Sequence, residues 1–183
     1  MANYNVSEWI DRIIQYGILA VWIFMPLAFG SVHVWAYVSV EIAVWVLAGL
    51  TAIDAVLNKH GAWRMAHHFF YCPLHIFMII GLALVWIQLI PVPLEKIKLF
   101  SPETFTTYKQ AFEIIGGGLL DKLPLSLYPY ATKVEWFKLL TCVAFFELIL
   151  YKMKDRKDLQ RLIIVWVAIG IFQSFYGLLQ SIE

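Results

Sequence analysis

The chain has 183 residues, of which 61% are hydrophobic before glycine is counted and only 15% are charged. A soluble domain has roughly 45–50% apolar residues with glycine included and about 25% charged, so this composition excludes an ordinary cytosolic enzyme and a disordered tail. Lys and Arg number 14 against 13 Asp and Glu, a net charge of +1, which provides no overall basic field for nucleic acid.

The expected fold is all-α: a polytopic transmembrane bundle of about five helices in a single membrane domain spanning residues 1–183. The apolar segments run Ile13–Phe29, Val34–Leu57, Phe70–Val92, Val134–Tyr151 and Leu162–Leu179. Each lies near the ~20 residues that a bilayer core requires. The opening MANYNVSEWIDR carries Glu8 and Asp11 ahead of the first apolar run, unlike a secretory signal.

Lys and Arg set the expected orientation. The turn Gly30–His33 has neither. Asn58–His68 carries Lys59 and Arg64, and Lys152–Arg161 carries Lys152, Lys154, Arg156, Lys157 and Arg161. The two basic loops are therefore expected on the cytoplasmic side. The N-terminus is then inside, while the Gly30–His33 turn and the C-terminus are outside.

Residues 93–133 form the expected outer loop. Ser101-Pro102-Glu103 reads as an N-cap, a first-turn proline and an acid at a helix start. Phe105, Tyr108, Phe112 and Ile115 recur on one helical face before Gly116-Gly117-Gly118. A short amphipathic helix follows from this pattern, lying on the membrane surface or covering the bundle. Thr132-Lys133-Val134-Glu135 matches a capping box at the start of the fourth helix.

Candidate functional residues are few. Ionisable groups inside lipid are costly and so draw notice. Glu41 is either a proton or cation partner facing the bundle or a carboxyl satisfied by a neighbouring helix. Glu147 has the same alternatives, with the basic interface close by. Gln88, Gln173 and Gln180 suit interhelical hydrogen bonds. Asp54 sits near the inner end of the second helix, within reach of water. His60, Arg64, His67, His68 and His75, with Trp63, Phe69, Phe70 and Tyr71, suit a basic aromatic interface with anionic headgroups. No metal site is expected from them, since no acid or paired His completes the ligand set. Cys72 and Cys142 form no redox or zinc motif. His33, beside Trp35 at the outer headgroup level, is either a phosphate- or sugar-contacting group or a plain interfacial histidine. No carboxylate pair, nucleophile motif or phosphate loop is present, and no cofactor is implied.

Two stretches resemble the O-antigen ligase and polymerase-like family of bacterial inner-membrane proteins. One is Pro26–Gly49, PLAFGSVHVWAYVSVEIAVWVLAG, with its G-x-H-x-W-A turn. The other is Leu125–Gln180. It begins LSLYPYATKVEWFKLLTCVAFFELIL, passes the basic KDRKDLQR loop and ends WVAIGIFQSFYGLLQ. The resemblance implies work on a glycan carried by undecaprenyl diphosphate at the outer face of the bacterial inner membrane. Gly30, His33, Trp35 and Ala36 fall on the matching outer turn, with an implied structural or lipid-proximal role. The family's catalytic His and diphosphate-binding Arg residues belong to a later periplasmic loop that no residue here matches. Transfer is therefore expected only with a C-terminal ligase half. The reading from another class is a non-catalytic integral membrane subunit or scaffold of a larger complex.

Overall fold

The computed structural model describes residues 2–28, 33–57, 73–117, 120–153 and 155–180. In chain order the elements are α1 (Ala2–Leu27), α2 (Val34–Leu57), α3 (Pro73–Ile87), β1 (Pro91–Pro93), α4 (Leu94–Phe100), α5 (Pro102–Ile115), β2 (Lys122–Pro124), α6 (Pro129–Lys152) and α7 (Arg156–Gln180). Apart from one short two-stranded sheet the architecture is helical. The chain divides into two compact units, Met1–Cys72 with Thr141–Glu183, and Pro73–Leu140.

In the first unit α1 and α2 pack side by side. Ile14, Ile18 and Val21 on α1 face Val40, Val44 and Leu47 on α2, and all six are buried. The alternating spacing of four and three keeps each set on one stripe of its helix. Phe145 and Leu148 of α6 and Leu162 of α7 complete this core. Gly17 leaves room on α1 for the Leu47 side chain of α2: a Cβ there would lie 2.5 Å from Leu47 Cδ2.

Among the described residues three helical stretches are long and apolar enough to cross a membrane: Glu8–Leu27, Val34–Leu57 and Arg156–Gln180. They correspond to the first, second and fifth expected spans. Of the third expected span, Phe70–Val92, residues 70–72 lie outside the described residues; the described part is helix α3, Pro73–Ile87, after which Pro91 and Pro93 lie in β1. The fourth, α6, has 24 residues but carries Lys133, Glu135, Lys138 and Glu147, and is not among the three. Most of α7 is exposed, with only Leu162 and Ile169 buried.

In the second unit β1 and β2 pair antiparallel, with Val92 opposite Leu123 and prolines at three of the strand ends. Proline lacks the N–H a longer ladder would need, so the sheet stays at three residues per strand. Ile97 and Leu123 are its buried apolar residues. Among the described residues of 91–124 there are thus two helices and a two-stranded sheet rather than the single expected helix. α5 begins after Ser101 with Pro102 in its first turn, and ends at Gly116 in the left-handed conformation, φ 69°. Phe105, Tyr108 and Phe112 are half-buried along one face, but Ile115 is exposed. The Tyr108 hydroxyl donates to the carbonyls of Pro124 (3.1 Å) and Ser126 (3.0 Å), tying α5 to β2 and the chain beyond it. Burial pushes the Tyr108 phenol above its ordinary range. Trp136 donates its indole N–H to the Leu82 carbonyl at 3.1 Å, and its ring lies 5.0 Å from that of Trp86.

The capping box expected at Thr132–Glu135 is not the start of α6. The helix begins one turn earlier at Pro129, whose fixed φ suits a first helical position. Thr132 instead lies inside the first turn, where its hydroxyl bonds to the Tyr128 carbonyl and the Ser126 hydroxyl.

Candidate functional site

The α1–α2 hairpin has two chemically different ends. At one end α2 starts at Val34, and the His33 carbonyl accepts from the backbone N–H groups of Ala36 (2.9 Å) and Tyr37 (3.1 Å). These bonds hold the His33 backbone in the first turn, while the residue itself is exposed. Trp35 is 58% exposed and meets Phe24 of α1 edge-to-face, with ring centroids 6.2 Å apart. His33 and Trp35 are thus both exposed at the start of α2, with the Trp35 ring set against Phe24 of α1. Ala36, the last residue of the turn motif, is fully buried. Gly30 lies outside the described residues. Near the same end, Gln173 of α7 donates its side-chain amide to the Pro26 carbonyl of α1.

The opposite end carries an ion cluster that sequence reasoning missed. Lys152, the last residue of α6, donates to Asp54 Oδ2 on α2 at 2.7 Å and also to Asp11 Oδ1 on α1. The Lys152 and Asp54 side chains are only 7% and 6% exposed, whereas Asp11 is 46% exposed. Asp54 therefore does not reach water, as its place near the helix end had suggested. It follows Val40, Val44, Leu47 and Thr51 on the buried stripe of α2, and a carboxylate there needs a cation. The stripe was the available signal. Lys152 likewise belongs to this cluster rather than to a solvated basic loop.

A cavity of about 200 Å³ is lined by polar and apolar side chains alike, Arg12, Tyr16 and Leu19 of α1, Met153, and Asp158 and Arg161 of α7 among them. Arg161 pairs with Asp158 at 3.3 Å. A separate apolar cavity of about 390 Å³ is walled by Trp22 of α1, Phe145 and Phe146 of α6, and Leu162, Ile163 and Trp166 of α7 among others. The Trp22 indole N–H is buried there with no acceptor among the described residues.

The remaining sequence candidates do not converge. Glu41 and Glu147 are half-buried, on α2 and α6. His75 is buried on α3 in the other unit. His60, Arg64, His67, His68 and their aromatic neighbours, together with Cys72, lie outside the described residues. Cys142 is a free thiol. Among the described residues no group of three or more His, Cys, Asp or Glu side chains is placed to hold a metal. Compared with protein-family models, with curated proteins and with solved structures, the chain matches none.

Proposed function

We propose that this chain is the membrane-embedded N-terminal module of an O-antigen ligase-like protein, acting in bacterial surface-polysaccharide assembly. Its orientation in the inner membrane is N-terminus cytoplasmic and C-terminus periplasmic. The mouth of the α1–α2 hairpin then faces the outer leaflet, where a glycan on undecaprenyl diphosphate presents its diphosphate. The observation that carries the reading is the exposure of both His33 and Trp35 at the end of two membrane-length apolar helices. An imidazole can donate to a phosphate oxygen, and Trp and Phe favour the headgroup boundary. Support also comes from the resemblance of residues 26–49 and 125–180.

Glycan transfer itself belongs to the module joined with a C-terminal half that bears the catalytic loop. The test is a reconstituted pair in proteoliposomes supplied with a lipid-linked glycan and an acceptor. His33→Ala is expected to reduce transfer by about 10-fold, equivalent to one charge-assisted hydrogen bond. Unchanged transfer would remove His33 from the substrate's path.

A second reading is a non-catalytic subunit of a larger membrane complex. It is favoured by the long exposed apolar surface of α7, including Phe172 and Phe175. Gly170 has open space around it. Under this reading Gly170→Leu leaves the chain folded but lowers co-purification with the complex. If assembly survives the added side chain, that face of α7 is lipid-facing.

A further inference from the structure

Arg12, Gln15 and Tyr16 stand three and four residues apart on α1, so they share one face. Asp158 and Arg161, three apart on α7, line the same cavity of about 200 Å³. Arg12, Gln15, Tyr16 and Arg161 bring N–H or O–H donors to it, and Asp158 is the one acid in its lining. The Asp158 carboxylate accepts from Arg161 Nη1 at 3.3 Å, which engages one of the five N–H donors of that guanidinium. The Arg12 side chain makes no hydrogen bond or ion pair among the described residues. Asp11, next to it in sequence, is engaged by Lys152. The lining therefore carries one net positive charge. Both arginines lie near the first residue of an apolar stretch of membrane length. At the far end of the same two helices Gln173 donates to the Pro26 carbonyl. From Arg12 to Pro26, and from Arg161 to Gln173, each helix rises about 20 Å at ~1.5 Å per residue, so α1 and α7 run in the same direction and the cavity lies at one end of the pair. In helices that cross a membrane, arginines so placed stand at the headgroup level.

We propose that this cavity binds a phosphate group, of a lipid headgroup or of free phosphate, between Arg12 and Arg161. A planar guanidinium matches two phosphate oxygens at once, and two of them flank the cavity. The net positive charge of the lining balances the single negative charge of a phosphodiester. Gln15 and Tyr16 supply neutral donors for further oxygens. The Arg12 residue is exposed and the Arg161 side chain is 61% exposed, so the cavity is open to a group that arrives along the membrane surface. Basic pockets between membrane helices suit anionic headgroups. Trp35 meets α1 at Phe24, towards the opposite end of that helix. The site is therefore separate from the outer turn and stands without the glycan reading.

The test has two arms, both on the full chain. In the first, the chain is extracted gently from nanodiscs of phosphatidylglycerol and phosphatidylethanolamine, and retained lipid is read by native mass spectrometry. In the second, inorganic phosphate is titrated into the delipidated chain in neutral detergent, and binding is read by calorimetry. Retention of phosphatidylglycerol over phosphatidylethanolamine, undisturbed by added phosphate, is the result expected of a headgroup site. Saturable phosphate binding without a lipid preference supports the same site with free phosphate as its occupant. In whichever arm binding is seen, Arg12→Gln and Arg161→Gln should each weaken it about fivefold, the effect of roughly one basic residue at an anionic surface. Arg12→Lys, which keeps the charge, should lose less than Arg12→Gln. Arg156→Gln with Lys157→Gln, at positions outside the cavity lining, should change binding little. A wild type with neither lipid preference nor phosphate binding would overturn the proposal. So would undiminished binding in both Arg→Gln variants, or an equal loss in the Arg156/Lys157 variant.

Discussion

Lys152 holds one positive charge between two carboxylates of unequal exposure, and the inequality decides what each is worth. Asp54 and Lys152 are both nearly buried, so replacing the lysine takes a cation from a carboxylate held out of water. Lys152→Met should therefore destabilise the first unit by on the order of 3–5 kcal/mol. Asp11 is nearly half exposed and screened by water, so Asp11→Asn should cost less than about 1 kcal/mol. Thermal melts of the two variants in detergent should differ widely. Equal shifts would mean that Asp11 is the principal partner. Tyr108 gives a second residue-scale prediction. Its phenol is a donor to two carbonyls, and desolvation raises its pKa above the ordinary value of about 10. The neutral form is therefore the one the fold favours. The stability it contributes is complete below the unfolded pKa and is lost as pH rises through the folded one. Tyr108→Phe should cost about 1 kcal/mol at neutral pH and should remove one late-titrating phenol from an absorbance titration. An unchanged titration curve would contradict this. Glu41 and Glu147 stood out in the sequence because any acid in an apolar run does. Lys152 and Asp54 are separated by 98 positions, and only the packing of α2 against α6 shows them to be partners.

At the scale of elements, Gly17 leaves room on α1 for the Leu47 side chain of α2. The atom that a Cβ would meet is the end of the Leu47 side chain, which can rotate. Gly17→Ala should be mild, whereas Gly17→Leu should force the helices apart and cost about 1–3 kcal/mol. A melt showing both substitutions equally harmless would mean that the pair is looser than this contact implies. The long apolar helices were legible, because long apolar runs leave few alternatives, whereas the seven-residue α4 was not. Ends were less so. The box at Thr132–Glu135 had the right residues for a helix start, but Pro129, one turn earlier, already satisfied the same requirement. Pro91 and Pro93 shortened the third apolar run, because a proline cannot continue a helix whose N–H groups are needed. Pro102 and Gly116 mark the ends of α5 as expected, and Ser101 stands at the N-cap position, but its hydroxyl pairs with that of Thr104 at 2.8 Å instead of capping a backbone N–H.

For the whole molecule, composition alone indicated a lipid setting, and three apolar helices of membrane length agree with it. The outer segment was only partly legible. The pairing of Val92 with Leu123 links positions 31 apart, and no local signal marks a sheet of three residues per strand. The candidate site divides in the same way. His33 and Trp35 were visible in a turn motif, whereas the ion cluster exists only once the helices pack. The central claim is that the ion-paired end of the first unit is cytoplasmic and that His33 and Trp35 are periplasmic. Dual topology reporters fused after Lys59, within Gly116–Gly118 and after Arg156 test it most directly. The account predicts cytoplasmic signals at Lys59 and Arg156 and a periplasmic signal at Gly116–Gly118. A periplasmic signal after Arg156 would contradict the orientation and with it the proposed role of the outer turn.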